Sequence, residues 1–186
     1  MFINFWYAAL RSDQLADQPV KVRMLGQNFV LFRDTAGQAR CLSNVCVHRG
    51  GSLAGGKVKG DGVECPYHGW QFDGAGLCTR IPSLGSAAKI PARARVDAYP
   101  VEERYGLVHV FLGDLPEAER PTIMSIPEYG QPGWHAQLDE YLDTADYRRT
   151  IENGLDPAHN QFQHTTQDLW GQAGDSRLHA LTLEEN

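Results

Sequence analysis

The chain has no long apolar run. None of its stretches approaches the ~20 consecutive apolar residues that a membrane-spanning helix requires, so no membrane role is expected. Positive charge is also scarce: 17 Lys and Arg against 23 Asp and Glu leave a net charge of −6. That balance excludes the basic face through which a non-specific nucleic-acid binder releases counterions. The N-terminus, Met1-Phe2-Ile3-Asn4-Phe5-Trp6-Tyr7, lacks the basic n-region and apolar h-region of a secretory signal, and a cytoplasmic location is expected. No internal repeat and no low-complexity segment is present. Cysteine is sparse at four residues, Cys41, Cys46, Cys65 and Cys78. In a reducing compartment, cysteines close to histidines more often bind metal than pair as disulfides. Cys46 and Cys65 have histidine neighbours. Cys41 and Cys78 do not, and read as small core residues on strands.

What is present is an ordinary globular composition, 42% hydrophobic and 22% charged over 186 residues. Such a length suits one domain, or a small domain plus part of another. From residue 20 to about 113 the signals are those of short strands. Phe29 to Arg33 is a β-rich run, Asp34-Thr35-Ala36-Gly37 a turn, and Arg40 to Ser43 a returning strand. His48 to Gly62 holds six glycines without helical period and reads as loop. It is no phosphate loop, because no Lys-Ser/Thr or acidic partner follows on a strand–helix unit. Gln71-Phe72 leads into a second tight turn, Asp73-Gly74-Ala75-Gly76, and Gly106 to Gly113 is a buried strand. Then Pro116, Pro121, Pro127 and Pro132 punctuate an irregular connector. Tyr141 to Gly154 is helix-compatible, and Asp156-Pro157 has the form of a helix restart.

Two short strings carry the chemistry. Cys46-Val47-His48 and Cys65-Pro66-Tyr67-His68 are sixteen residues apart, and each offers one thiolate and one imidazole from a single loop. That is the ligand set of a [2Fe–2S] cluster in which one iron takes two Cys and the other two His. Neutral imidazoles leave such a cluster less negative than an all-cysteine one, so its potential is higher. Gly50, Gly51, Gly55 and Gly69 flank the ligands where backbone must come close to sulfur. The competing assignment is a structural zinc site, but zinc ligands usually come as C-x₂₋₄-C and H-x₃₋₅-H pairs.

Cys-x-His-Arg-Gly followed by Cys-Pro-Tyr-His-Gly-Trp resembles the Rieske family. In that family's respiratory branch an added cysteine pair braces the cluster, and a Ser and a Tyr donate hydroxyl hydrogen bonds towards it. Here the matching positions are Gly51 and Tyr67, and Trp70 and Phe72, so the resemblance is to the ferredoxin and oxygenase branches.

The second string is Asn153-x-x-Asp156-x-x-His159-x₄-His164. By itself it is weak, since five residues rotate about 140° around a helix and the two histidines share no ideal face. It nevertheless resembles the mononuclear-iron motif of Rieske non-heme iron oxygenases, in the Glu-Asn-x-x-Asp-Pro-x-His form of relatives similar to the pheophorbide oxygenase group. The resemblance implies that His159 and His164 are two ligands of a 2-His-1-carboxylate Fe(II) site open to O₂. It also implies that Asp156 is an electron-transfer bridge from a neighbouring subunit's cluster histidine to His159. The third ligand is not found in this chain: Asp168, Asp175, Glu184 and Glu185 lie too close in sequence to match the family position.

By this resemblance the fold class is α+β. An all-β Rieske sandwich is expected over residues 1–114, and the incomplete beginning of a helix-grip-like catalytic domain over 115–186. The expected protein is a terminal oxygenase of α-only type, assembled as a homotrimer. It would be fed by an NAD(P)H-dependent reductase or ferredoxin, and would use O₂ to monooxygenate, demethylate or ring-hydroxylate a small organic substrate. The other reading is a Rieske ferredoxin-like electron carrier with no oxygenase site of its own. Lesser features carry less: His109 reads as a strand residue, Arg148-Arg149 as a solvated helix face, Trp6 and Tyr7 as core at a domain edge. His135 and His179 have no partner at metal-ligand spacing.

Overall fold

The computed structural model describes residues 3–85, 89–140, 142–156 and 159. Its strands are β1 (Phe5–Arg11), β2 (Val20–Met24), β3 (Gln27–Arg33), β4 (Ala39–Ser43), β5 (Lys57–Lys59), β6 (Gly62–Glu64), β7 (Gln71–Asp73), β8 (Cys78–Arg80), β9 (Ala98–Tyr99), β10 (Val101–Arg104) and β11 (Leu107–Leu112). They pair antiparallel into three sheets, ordered β1-β11-β10, β2-β3-β4-β9 and β5-β6-β7-β8.

The sequence of β3 dictates how these sheets stack. Phe29, Val30, Leu31 and Phe32 are consecutive, and none is more than 2% exposed. Successive side chains of a strand point to opposite faces, so all four are buried only if the sheet is covered on both sides. Phe29 and Leu31 join Cys41, Val108, Val110 and Leu112 in one core. Val30 and Phe32 join Leu42, Val63, Phe72, Cys78, Cys46 and Cys65 in the other. The β2-β3-β4-β9 sheet is therefore the middle layer, and the β5-β6-β7-β8 sheet closes the second core over the two cysteines with histidine neighbours. Each fully buried Phe or Leu contributes about 1.5–3 kcal/mol from loss of apolar surface to water.

Both expected tight turns form, and they are built alike. Asp34 Oδ1 accepts from the Ala36 and Gln38 amides at 3.0 and 2.9 Å. Asp73 Oδ1 accepts from the Ala75 and Leu77 amides at 3.0 and 2.9 Å. In each case the glycine three residues on closes the turn by donating to the Asp carbonyl at 2.9 Å. Between the middle sheet and the β1-β11-β10 sheet Arg33 makes a fork to Glu103 at 2.8 and 2.7 Å and also donates to the carbonyls of Leu15 and Ser12. This clamp ties β3 to β10.

The connector after β11 stays with the β-rich unit. Trp6 Nε1 donates to the Pro121 carbonyl at 2.7 Å, Arg104 to the Ile123 carbonyl at 3.0 Å, and the Ile126 amide to the Tyr105 hydroxyl at 2.7 Å. The unit accordingly spans Met1–His135. Trp6 also packs edge-on against Phe111, and His109 is buried within β11.

The second unit, Ala136–Asn186, contains the helix α1 (Tyr147–Leu155). The helix begins at Tyr147 because Asp146 caps it, accepting from the Arg148 amide at 3.0 Å. It ends at Asp156, whose φ of −97° and ψ of 96° leave the helical region. A cap by Asp156 on a turn starting at Pro157 falls outside the described residues. Among those residues, no helix is long and apolar enough to cross a membrane.

Candidate metal centre

Two loops converge at one end of the β5-β6-β7-β8 sheet, one leading from β4 towards β5 and the other joining β6 to β7. Their backbones repeat one another. The Cys46 amide donates to the Gly51 carbonyl at 2.9 Å and the Gly50 amide to the Cys46 carbonyl at 2.9 Å. In the other loop the Cys65 amide donates to the Trp70 carbonyl at 2.8 Å and the Gly69 amide to the Cys65 carbonyl at 3.0 Å. Each loop turns back through a left-handed glycine four residues after its cysteine, Gly50 and Gly69, both at φ 71°. A side chain there would be strained. The C-x-H and C-x-x-H strings are thus two copies of one small turn, each presenting a thiol and an imidazole.

The four side chains form two pairs. Cys46 and Cys65 are each 2% exposed and belong to the second core. His48 is half-buried and His68 exposed, with ring centroids 4.5 Å apart. At Gly51 a Cβ would sit 3.0 Å from Cys65 Sγ and 3.3 Å from Tyr67 Cβ, so a side chain there would crowd the sulfur and the second loop. Gly55 is different: a Cβ there would meet only Pro66, at 3.7 Å.

The electrostatics suit metal ligation. Burial pushes the Cys46 thiol up to about 11; the His48 amide opposes that rise and the neighbouring Cys65 thiol adds to it. Such a thiol gives up its proton readily only to a metal that replaces it. His48 is held low, chiefly by burial, then by the charges of His68 and Arg49. It is therefore neutral at pH 7, as a ligand must be. Its Nδ1 is buried without a hydrogen-bond partner, and a buried polar atom left so is costly unless something absent from the protein chain satisfies it. Among the described residues no three His, Cys, Asp or Glu side chains are grouped as a single-ion site. Two inner thiols and two outer imidazoles fit a two-iron cluster with one pair on each iron, rather than one tetrahedral ion.

Three supporting features escaped the sequence reading. Asn44, 4% exposed, holds the first loop. Its Nδ2 donates to Ser52 Oγ at 2.9 Å, and its Oδ1 accepts from the Ala54 amide at 2.8 Å and from Ser52 Oγ at 3.3 Å. Gln71 Nε2 donates to Glu64 Oε2 at 2.7 Å, and Lys57 Nζ lies 3.1 Å from Glu64 Oε1, which joins the two ends of the second loop. The Gln71 bond comes first and Lys57 adds to it in holding the Glu64 carboxyl below its ordinary range, against the opposing effect of burial. Finally, Trp70 stacks on His48 with the ring planes 4° apart and centroids at 4.6 Å. Asn44 and Gln71 have no spacing that marks them in the chain, and Trp70, although it ends the Cys-Pro-Tyr-His-Gly-Trp string, gives no sign there of its stacking on His48. The signal for Asn44, a lone polar residue between a core strand and a ligand loop, becomes visible only once its burial is known.

Cys41 and Cys78 are buried and free, and burial pushes the Cys41 thiol up to about 12. They behave as core residues. In the second unit Asp156 Oδ2 lies 4.0 Å from His159 Nδ1, with the Asp side chain 58% and the His side chain 21% exposed. His164, and the carboxylates weighed as third ligand (Asp168, Asp175, Glu184 and Glu185), lie outside the described residues.

Residues 5–100 match the Rieske [2Fe-2S] domain family. Among characterised proteins, the chain is 38% identical over 167 residues to chlorophyllide a oxygenase of Chlamydomonas reinhardtii, a match covering 88% of this chain and 24% of that protein. It is 34% identical to the alpha subunit of phenoxybenzoate dioxygenase of Ectopseudomonas oleovorans, covering 88% and 43%. Among solved structures, NdmA of Pseudomonas putida CBB5 superposes with a TM-score of 0.75 at 28% identity, covering 87% of this chain and 50% of that one. The chain thus spans between a quarter and a half of the length of these relatives.

Proposed function

The chain belongs to the Rieske [2Fe–2S] family, and from that premise we propose that it is the electron-receiving part of a Rieske non-heme iron oxygenase working in the cytoplasm. In this reading Cys46, His48, Cys65 and His68 hold the cluster, and His159 and His164 contribute to a mononuclear Fe(II) site. The observation that carries it is the combination, in one chain, of the paired ligand loops with the Asn153–His164 string. The oxygenases it resembles match it over 88% of its length.

When bound, the cluster stores one electron at a time, and the mononuclear iron offers open positions for O₂ beside a substrate. The protein's part begins with access. Cys46 and Cys65 sit inside the core, so one side of the site is closed to water. His68 is exposed, and so are Val47, Arg49, Pro66 and Tyr67 of the same two loops. This is where a reductase or ferredoxin drawing on NAD(P)H would dock, and where electrons would enter and leave. Asp156 stands at the end of α1 beside His159. With more than half of its side chain exposed, it can contact His159 and also a cluster histidine of a neighbouring subunit, orienting both rings. A head-to-tail homotrimer is the simplest closed ring that supplies such a neighbour. The substrate is a small organic molecule, and monooxygenation or demethylation is favoured over ring dihydroxylation.

Iron and acid-labile sulfide per chain, measured on the complete oxygenase purified without air, test the reading. About three irons with two sulfides are expected. About two irons with two sulfides would leave a ferredoxin-like carrier in its place, and zinc without sulfide would remove both.

A further inference from the structure

The two cluster histidines are covered unequally: each meets an aromatic ring, but Tyr67, tilted against His68 at 4.0 Å, is itself exposed, whereas Trp70 against His48 is half-buried. His68 is exposed. His48 is enclosed on two sides, by the edge of His68 at 4.5 Å and by the face of Trp70 at 4.6 Å. The indole is held firmly. The Trp70 carbonyl takes the Cys65 amide at 2.8 Å, its side chain packs on the core that contains both cysteines, and the next residue, Gln71, is fixed to Glu64. Trp70 is therefore a rigid lid on His48.

We propose that Trp70 sets the reduction potential of the cluster, holding it low by keeping water away from the His48 side. This rests on the assignment of the four ligands and not on the oxygenase reading. A cluster with two thiolates and two neutral imidazoles is formally uncharged when oxidised, and gains one negative charge with the electron it accepts. An apolar cover penalises the charged state. The electron-rich face of the indole, laid against the imidazole, acts in the same direction. Trp70 offers that face no hydroxyl or amide donor that would offset the penalty. Both effects make reduction harder, so removing the ring makes it easier. Trp70 acts through His48 and is a positioning residue.

The test is the midpoint potential of purified, cluster-loaded protein, by spectroelectrochemical titration of the wild type, Trp70→Leu and Trp70→Ala. The alanine variant is expected to shift the reduction equilibrium about tenfold towards the reduced state, which is 59 mV upward for a one-electron couple. Leucine, which keeps apolar bulk without the flat ring, is expected to shift it less and in the same direction; it carries the test if the alanine variant does not hold the cluster. After exchange into D₂O, deuteron couplings in the pulsed EPR of the reduced protein should strengthen in both variants. Unchanged or lowered potentials in variants with normal iron and sulfide would overturn the proposal. If the wild type itself contains no cluster, the ligand assignment fails instead.

Discussion

Removing the side chain of Asn44 should loosen the first ligand loop specifically. Three hydrogen bonds end on it, to Ser52 twice and to the Ala54 amide once, and the residue is 4% exposed. A neutral hydrogen bond contributes about 0.5–1.5 kcal/mol net, and an abandoned buried donor costs about 1–3 kcal/mol. The Ala54 amide is only partly buried, so its cost falls at the lower end. With the two contacts to the hydroxyl of exposed Ser52 counted as one bond of about 1 kcal/mol, and the loss at the Ala54 amide as about 1–2 kcal/mol, the sum for Asn44→Ala is about 2–3 kcal/mol, a factor of roughly 30–150 in the unfolding equilibrium. Ser52→Ala leaves the Ala54 bond in place and should cost about 1 kcal/mol. The double variant should cost less than the sum of the two, because both remove the same Asn44–Ser52 bonds. Urea denaturation of the cluster-loaded protein, followed by circular dichroism and by visible absorption, measures all three. Asn44→Ala should also release iron to a chelator faster under native conditions. A cost below about 0.5 kcal/mol with unchanged iron release would refute the idea that Asn44 fastens the loop.

Other consequences are as direct. His68→Ala should remove the visible absorption and the labile sulfide while the far-ultraviolet circular dichroism persists; a coloured variant would sink the ligand assignment. Glu103→Gln should destabilise the protein by about 1 kcal/mol at neutral pH, given partial exposure of the pair. The Arg33 guanidinium holds the Glu103 carboxyl below its ordinary range, so this contribution is complete above the unfolded glutamate value of about 4.3 and is lost as pH falls through the lower folded value. Wild-type and variant melting curves should therefore converge in acid, and a difference that persists at pH 2 would contradict the clamp. Asp156→Asn should leave iron and sulfide contents unchanged but stop substrate oxidation by the complete oxygenase. Normal turnover would refute the bridging role.

The two candidate ligand loops and the turns were legible because their chemistry is local. Cys46-x-His48 and Cys65-x-x-His68 declare themselves by residue type, and Asp34 to Gly37 and Asp73 to Gly76 by turn chemistry that needs only four or five residues. The layering was legible in part. The apolar run of β3 announces a strand, but that it lies in a middle sheet follows only from the two separate cores it feeds. Asn44, Gln71 and Trp70 were not legible, because each acts on groups brought near by the meeting of two loops. The helix of the second unit was expected from Tyr141, and Asp146 starts it at Tyr147 by capping it, a preference shared by too many Asp residues nearby to be read in advance. Asp156 Oδ2 lies 4.0 Å from His159 Nδ1, and the position of His164 lies outside the described residues.

Pulsed EPR of the dithionite-reduced protein, read for nitrogen hyperfine couplings, tests the central claim most directly. Two strongly coupled nitrogens, both lost with the cluster in the His68→Ala variant, are predicted from His48 and His68 as the ligands of one iron. A reduced cluster with no coupled nitrogen, or protein with no paramagnetic cluster at all, would contradict the assignment on which the rest depends.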